Sequence, residues 1–150
     1  MRALFVLGRA IFGGFFAYSA LHHFTAEEQL SRYAAAKGVP ASDAAVQASG
    51  ALLLAGGLSV IAGIRPRQGL AAIIAFLVPV TLQMHRFWEI DDQAQRNNEM
   101  INFTKNFALV GAALTMMQID EPWPVSIDEA WREEVMYVRL GGRDLLELPA

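Results

Sequence analysis

Four long apolar blocks, separated by short charged connections, constrain this chain more than any other feature of its sequence. They cover about residues 3–21, 44–64, 69–84 and 100–119. A helix that crosses roughly 30 Å of hydrocarbon at about 1.5 Å per residue needs about 20 apolar residues. Apolar residues lie on all faces of these segments. A chain of 150 residues is too short to bury four such helices from water on all sides. The pattern therefore predicts an all-α, polytopic membrane protein with a four-transmembrane-helix bundle.

The overall composition supports a lipid bilayer as the surroundings of this chain. Hydrophobic residues make up 54% of it and charged residues only 18%, whereas soluble domains carry about 25% charge. Basic residues form no clustered face, so we expect no nucleic-acid partner. The chain has no cysteine, which excludes thiolate nucleophiles and disulfide exchange by its own side chains.

The first connection contains a signal for a short amphipathic helix. Thr25-Ala26-Glu27-Glu28 has the form of a capping box, which predicts a helix start. The run through Leu30 and Tyr33 continues that helix until Gly38 and Pro40 end it. We expect this helix to lie on the membrane surface.

The sequence divides into a membrane domain, 1–119, and an acidic amphipathic tail, 120–150. Ser126-Ile127-Asp128-Glu129 is a second capping box, which predicts a C-terminal helix. One face of that helix is apolar. Its residues are Ile127, Ala130, Trp131, Val135 and Val138. Trp123, Trp131 and Tyr137 suit the water–lipid boundary. The acidic outer face of the helix favours a membrane-protein partner, or folding back under the bundle, at least as much as lipid.

The charges beside the apolar blocks predict an orientation. The connection Arg65-Pro66-Arg67 is short and purely basic, which places it in the cytoplasm by the positive-inside rule. With four spans, both termini are then cytoplasmic, in a bacterial-type inner membrane. Arg9 and the bulky Phe15 and Phe16 favour a retained first helix over a cleaved signal peptide.

Two charged residues lie inside the apolar blocks and need an explanation. Arg9 and Lys105 each lie about two turns into a span, short of its centre. A charge at the centre of a spanning helix costs roughly 2.5–3.5 kcal/mol. One interpretation is interface anchoring, in which the side chain reaches the headgroups. The other is that each binds a polar ligand. Alternate spans run in opposite directions, so we expect these two residues on opposite sides of the membrane.

The same geometry brings several polar residues to one outward-facing pocket, formed by the ends of spans one and three and the starts of spans two and four. We predict that the ligand-binding residues of the protein are Arg9, Gln47, His85, Trp88, Lys105 and Asn106. We predict no metal site, because the adjacent His22 and His23 point about 100° apart on a helix. Those two residues and His85 remain weak candidates.

The chain resembles the DoxX family of small four-helix membrane proteins over about residues 3–117. The resemblance is carried by Leu7-Gly8-Arg9, Phe12-Gly13-Gly14, Tyr33 to Pro40, Gln47 to Gly57, His85-Arg86-Phe87-Trp88 and Phe103 to Gly111, which includes Lys105-Asn106. It implies a four-helix bundle linked to thiosulfate:quinone oxidoreduction or to membrane redox and oxidative-stress complexes. This chain has Gln47 where the family often has an acid, and His22-His23 where the family often has a base, which puts a proton-transfer role at these positions in doubt.

Two hypotheses for the function follow from these observations. The first is a membrane subunit that binds a quinone or another small polar-headed ligand and supports a redox complex. The second is a non-catalytic assembly or structural subunit that recruits a membrane protein through its tail. The sequence contains no complete catalytic set, so its status as an enzyme is undecided and at most it is an accessory subunit of an oxidoreductase. Quinone is the only cofactor that the resemblance suggests.

Overall fold

The computed structural model describes residues 2–139, and these form six α-helices and one 3₁₀ helix. The elements are α1 (Arg2–Thr25), α2 (Glu27–Ala36), α3 (Ser42–Ala62), α4 (Pro66–Met84), the 3₁₀ helix (Phe87–Glu89), α5 (Gln93–Met116) and α6 (Ile127–Arg139). The all-α prediction is confirmed for this part of the chain. The predicted tail also includes residues 140–150, which lie outside the described residues.

Three of these helices, α1, α3 and α4, are long and apolar enough to cross a membrane. The chain is therefore a multi-pass membrane protein. At 24 residues, α5 is also long enough, but Asn102, Lys105 and Asn106 dilute its apolar character. A fourth span along α5 remains a prediction.

The helix ends differ from the predicted spans for local reasons. Pro66 starts α4, ahead of the predicted residue 69, because proline is favoured in the first turn, where its missing N–H leaves no helical bond unmade. At the start of α5, Asp92 accepts a hydrogen bond from the backbone N–H of Gln95 at 2.8 Å. This cap starts the helix at Gln93, well before the predicted residue 100.

The closest helix pair, α1 and α3, crosses at two glycines. A Cβ atom built on Gly13 would lie 2.6 Å from the carbonyl oxygen of Gly57, and a Cβ on Gly57 would lie equally close to the carbonyl oxygen of Gly13. Only glycine permits this approach, as is common in membrane helices. Further packing joins α3 to α4 and α4 to α5, and the buried residues Phe16, Leu53 and Leu77 lie between these helices.

Helix α2 packs beside α3 and marks one end of the molecule, which we call the α2 end. The predicted capping box at Thr25 is wrong. Its hydroxyl donates to the carbonyl of Leu21 at 3.0 Å, and the N-cap of α2 is Ala26, without a side-chain cap. The reason is that α1 continues through Thr25, which turns this hydroxyl back along its own helix.

The opposite end holds the α3–α4 connection and the segment after α5, and we call it the tail end. Trp123 is fully buried there, with its ring 5.2 Å from that of Phe5. Its predicted position at the water–lipid boundary is therefore wrong, because the segment folds back onto the helix ends. Ser126 caps α6 as predicted, since its Oγ accepts from the N–H of Glu129 at 3.0 Å, but the Glu129 carboxylate accepts from the N–H of Val125 instead of that of Ser126. The side chain of Val138, on the predicted apolar face of α6, lies outside the described part.

Candidate functional site

The α2 end contains an open cavity of about 930 Å³ between α1, α3 and α4, with α2 beside it. Most of its lining is aliphatic or aromatic, and Phe15, Leu52 and Leu82 on its sides are themselves partly exposed. These side chains lie along the apolar helices, where an exposed surface faces acyl chains. The cavity is therefore accessible from the side to an apolar molecule dissolved in the bilayer.

A histidine–carboxylate pair lies at the polar end of this cavity. His85, at the C-terminal end of α4, lines the cavity, and its Nδ1 lies 2.6 Å from Glu99 Oε2 on α5. Both side chains are only 19% exposed. A carboxylate accepts hydrogen bonds, so Nδ1 carries the proton of this bond, and the ring is held with Nε2 as its remaining polar atom.

Other polar groups surround this pair. Gln83 donates to the carbonyl of Lys37 at 2.7 Å, which ties α4 to the end of α2, and Asn106 of α5 lines the same cavity. Burial raises the pKa of the Tyr33 phenol above 10.0, and the nearby charge of Glu99 raises it further. Tyr33 therefore remains protonated, as a hydrogen-bond donor at the rim of the cavity.

The proline in α4 leaves one backbone acceptor without its helical donor, in the part of the helix that lines the cavity. Pro79 lies inside α4 and has no N–H to donate to the carbonyl of Ala75, four residues earlier. Both residues line the cavity. Proline is tolerated in membrane helices where the freed carbonyl faces a cavity or a neighbouring group.

The structure brings together only part of the predicted ligand set. His85 and Asn106 line the cavity, whereas Gln47, Trp88 and Lys105 do not. Gln47 is exposed and donates a hydrogen bond to Glu27 at 2.6 Å. Trp88 is half-exposed, in a cluster of aromatic rings with Phe87 and Phe103. Lys105 is exposed on α5. Arg9 lies at the tail end, as expected from the helix directions.

The three histidines that were weak metal candidates have different partners, although His23 and His85 line the same cavity. His22 is exposed, and Nδ1 of His23 lies 2.7 Å from the carbonyl oxygen of Ser19, while His85 contacts Glu99. Within residues 2–139 there is no group of three or more potential metal ligands.

The predicted ligand-binding set includes neither Tyr33 nor Glu99. A signal for Tyr33 was present, because it lies on the same face of α2 as Leu30 and Ala34, which also line the cavity. Glu99 is one of several acids near the start of α5. Only the early start of that helix at Gln93 brings this acid level with His85.

A second cavity, of about 390 Å³, lies at the tail end between Arg9, the end of α3 and the start of α6. The Arg9 side chain is 4% exposed, and its Nη2 donates to the carbonyl of Val125. Its Nε and Nη1 are buried without an acceptor, and an unpaired buried polar group costs about 1–3 kcal/mol. The carboxylates of Glu129 and Glu133 line the same cavity.

The α3–α4 connection binds the same C-terminal segment. The backbone N–H of Arg65 donates to Asp128 at 3.0 Å, and that of Arg67 donates to Glu121 at 3.1 Å. The Arg67 guanidinium also donates to the carbonyls of Met117 at 3.0 Å and Ile119 at 3.3 Å. The segment after α5 therefore folds against the α3–α4 connection, and the first turn of α6 is bound to the same connection through Asp128.

These observations define the class of the protein, which is a multi-pass, all-α membrane protein with a lipid-accessible cavity. The family model for DoxX matches residues 4–86, more than half of the chain, and the chain belongs to the DoxX family. The match covers α1 to α4 and His85, and it ends before Lys105-Asn106 and the C-terminal segment. No curated protein and no solved structure gives a significant match.

Proposed function

We propose that this DoxX-family protein binds a membrane-soluble molecule with a small polar head and an apolar chain in its α2-end cavity. A quinone is our candidate, and the protein would serve as a ligand-binding subunit that supports a membrane redox complex. The observation that carries this proposal is the His85–Glu99 pair at the end of an otherwise apolar cavity. Its volume of about 930 Å³ lies in the usual range for small-molecule sites, about 300–1,000 Å³.

The arrangement supplies matching contacts for both parts of such a ligand. Nε2 of His85, the Asn106 amide and the Tyr33 hydroxyl surround the space for a head with one or more oxygen atoms. The apolar chain would extend past Phe15 and Leu82 into the bilayer. This proposal includes α5 as a fourth span, because Asn106 then reaches the cavity from within the membrane domain. The N- and C-termini would both be cytoplasmic.

The experiment is binding of decylubiquinone to the full-length chain in lipid nanodiscs. We expect His85→Leu to weaken binding at least tenfold, about 1.4 kcal/mol, because it removes the contact to the head. Gln47→Leu is the matched control, since Gln47 lies outside the cavity. Lys105→Leu tests a residue that the sequence predicted to contact the ligand but that does not line the cavity, and we expect little effect on binding.

A second variant protects the test against a folding defect, because His85→Leu leaves Glu99 without its partner. Ala48→Phe places a ring into the cavity from α3 and leaves the polar pair intact, and it should also reduce binding. Unchanged binding in a correctly folded Ala48→Phe protein would refute the proposed site. Absence of any decylubiquinone binding by the wild type would refute quinone as the ligand.

A non-catalytic assembly role is the second candidate, and the exposed face of α6 favours it. Ile127, Trp131 and Val135 share this face and are each about half-exposed. The segment before α6 is bound to its own membrane domain, so a partner would contact α6 itself. Co-purification of a membrane partner by the full chain, and its loss from a chain truncated after Ala130, would support this role.

A further inference from the structure

The buried guanidinium of Arg9 points to a second binding site at the tail end, separate from the proposed quinone cavity. Arg9 is only 4% exposed. Two of its nitrogen donors, Nε and Nη1, have no hydrogen-bond acceptor among the described residues. It lines the 390 Å³ cavity beside α6. No protein atom accepts hydrogen bonds from these two nitrogen atoms, and acyl chains cannot accept them, so a partner for them must bring oxygen atoms.

The rest of the lining defines the charge of that partner. Glu129 and Glu133 of α6 line the same cavity as Arg9, and both carry a carboxylate. Glu129 is also held in place, since it accepts a hydrogen bond from the N–H of Val125 at 2.5 Å. A simple anion would meet Arg9 favourably but would be repelled by both carboxylates. A group with an anionic and a cationic end matches both charges.

We propose that the tail-end cavity binds a zwitterionic group in which a phosphate contacts Arg9 and a primary ammonium contacts Glu129 and Glu133. Arginine presents several N–H donors in a planar fork, which suits phosphate oxygens. An ammonium can donate up to three hydrogen bonds to the carboxylates. Arg9 lies about two turns from the start of α1, near the depth of lipid headgroups, so the phosphoethanolamine headgroup of a phospholipid has this chemistry at the right position.

Occupation requires a small movement of the C-terminal segment, because Nε and Nη1 of Arg9 are buried, whereas the bond from Nη2 to the carbonyl of Val125 can remain. That bond leaves the two other nitrogen atoms available, so the ligand and the segment share one guanidinium. The bound group would then connect α1 to α6. We therefore expect it to hold α6 more firmly against the membrane domain.

Native mass spectrometry of the full-length chain in detergent tests this proposal directly. The probes are dioleoyl phosphatidylethanolamine, dioleoyl phosphatidylglycerol and dioleoyl phosphatidylcholine, with O-phosphoethanolamine as the soluble form of the headgroup. We expect phosphatidylethanolamine to bind about tenfold more tightly than either other lipid. Tight binding of O-phosphoethanolamine alone would assign the site to a soluble phosphate instead of a lipid.

Three variants assign the binding to its residues. Arg9→Met should lower phosphatidylethanolamine binding at least tenfold, whereas Arg2→Met, which changes an exposed arginine of the same helix, should not. Glu133→Gln changes an exposed side chain that the fold does not need, and it should remove the preference for the ethanolamine lipid. Equal binding of the three lipids by the wild type, or an unchanged preference in Glu133→Gln, would overturn the proposal, even if Arg9→Met fails to fold.

Discussion

The crossing of α1 and α3 can be tested with two neighbouring glycines that have opposite surroundings. A Cβ atom on Gly13 would lie 2.6 Å from the carbonyl oxygen of Gly57 and 2.8 Å from the side chain of Ile61. A Cβ on Gly14 would have nothing within 4 Å. Ordinary contacts begin near 3.4 Å, so Gly13→Ala must push the helices apart by several tenths of an ångström, whereas Gly14→Ala requires no movement.

The expected energies follow from two opposing terms. Overpacking of a close contact costs about 1–3 kcal/mol, while replacement of a helical glycine by alanine stabilises a helix by roughly 0.5–1 kcal/mol. Gly13→Ala should therefore destabilise the protein by about 0–2.5 kcal/mol, and Gly14→Ala should stabilise it by up to about 1 kcal/mol. The helix term is the same for both variants, so the difference between them measures the contact with α3.

The assay is reversible unfolding in mixed micelles with increasing dodecyl sulfate, followed by the helical circular dichroism signal. We expect the unfolding midpoint to fall for Gly13→Ala and to stay or rise for Gly14→Ala. The double variant Gly13→Ala/Gly57→Ala should deviate from additivity, because both substitutions act on one contact. Equal shifts for the two single variants, in the same direction, would refute the close crossing.

Two further predictions concern the tail end and the rim of the α2-end cavity. Trp123→Ala should destabilise the protein by about 3–5 kcal/mol, because Trp123 is fully buried against Phe5, and it should make the segment before α6 sensitive to limited proteolysis. The control is Trp131→Ala, at a residue that is 62% exposed, which should shift the free energy of unfolding by less than about 0.5 kcal/mol. Since the folded state raises the pKa of Tyr33 above 10.0, the stability that depends on this phenol is fully present below pH 10.0 and is lost as the pH rises through the folded-state pKa. Glu99→Gln should lower that pKa, measured from the phenolate absorbance that is absent in Tyr33→Phe. An unchanged titration would contradict the electrostatic effect of Glu99 on Tyr33.

The helices of this protein follow from its sequence because their signals are local. Apolar blocks of spanning length determined α1, α3 and α4, and Gly38 and Pro40 correctly predicted the end of α2. The opposite directions of successive spans were also sufficient to separate Arg9 from the α2 end. Family membership is likewise a property of the sequence, carried by residues 4–86.

Only the tertiary structure decided which polar groups share a cavity and what covers the tail end. Gln47, Trp88 and Lys105 lie at the predicted end of the molecule, but the rotation of each helix turns them away from the cavity. Trp123 belongs to a segment without regular structure, and its burial depends on contacts with residues distant in the sequence, such as Phe5. Spacing along a helix sets the depth of a residue in the membrane, whereas the direction of its side chain is set by packing between helices, which no single segment of the sequence contains.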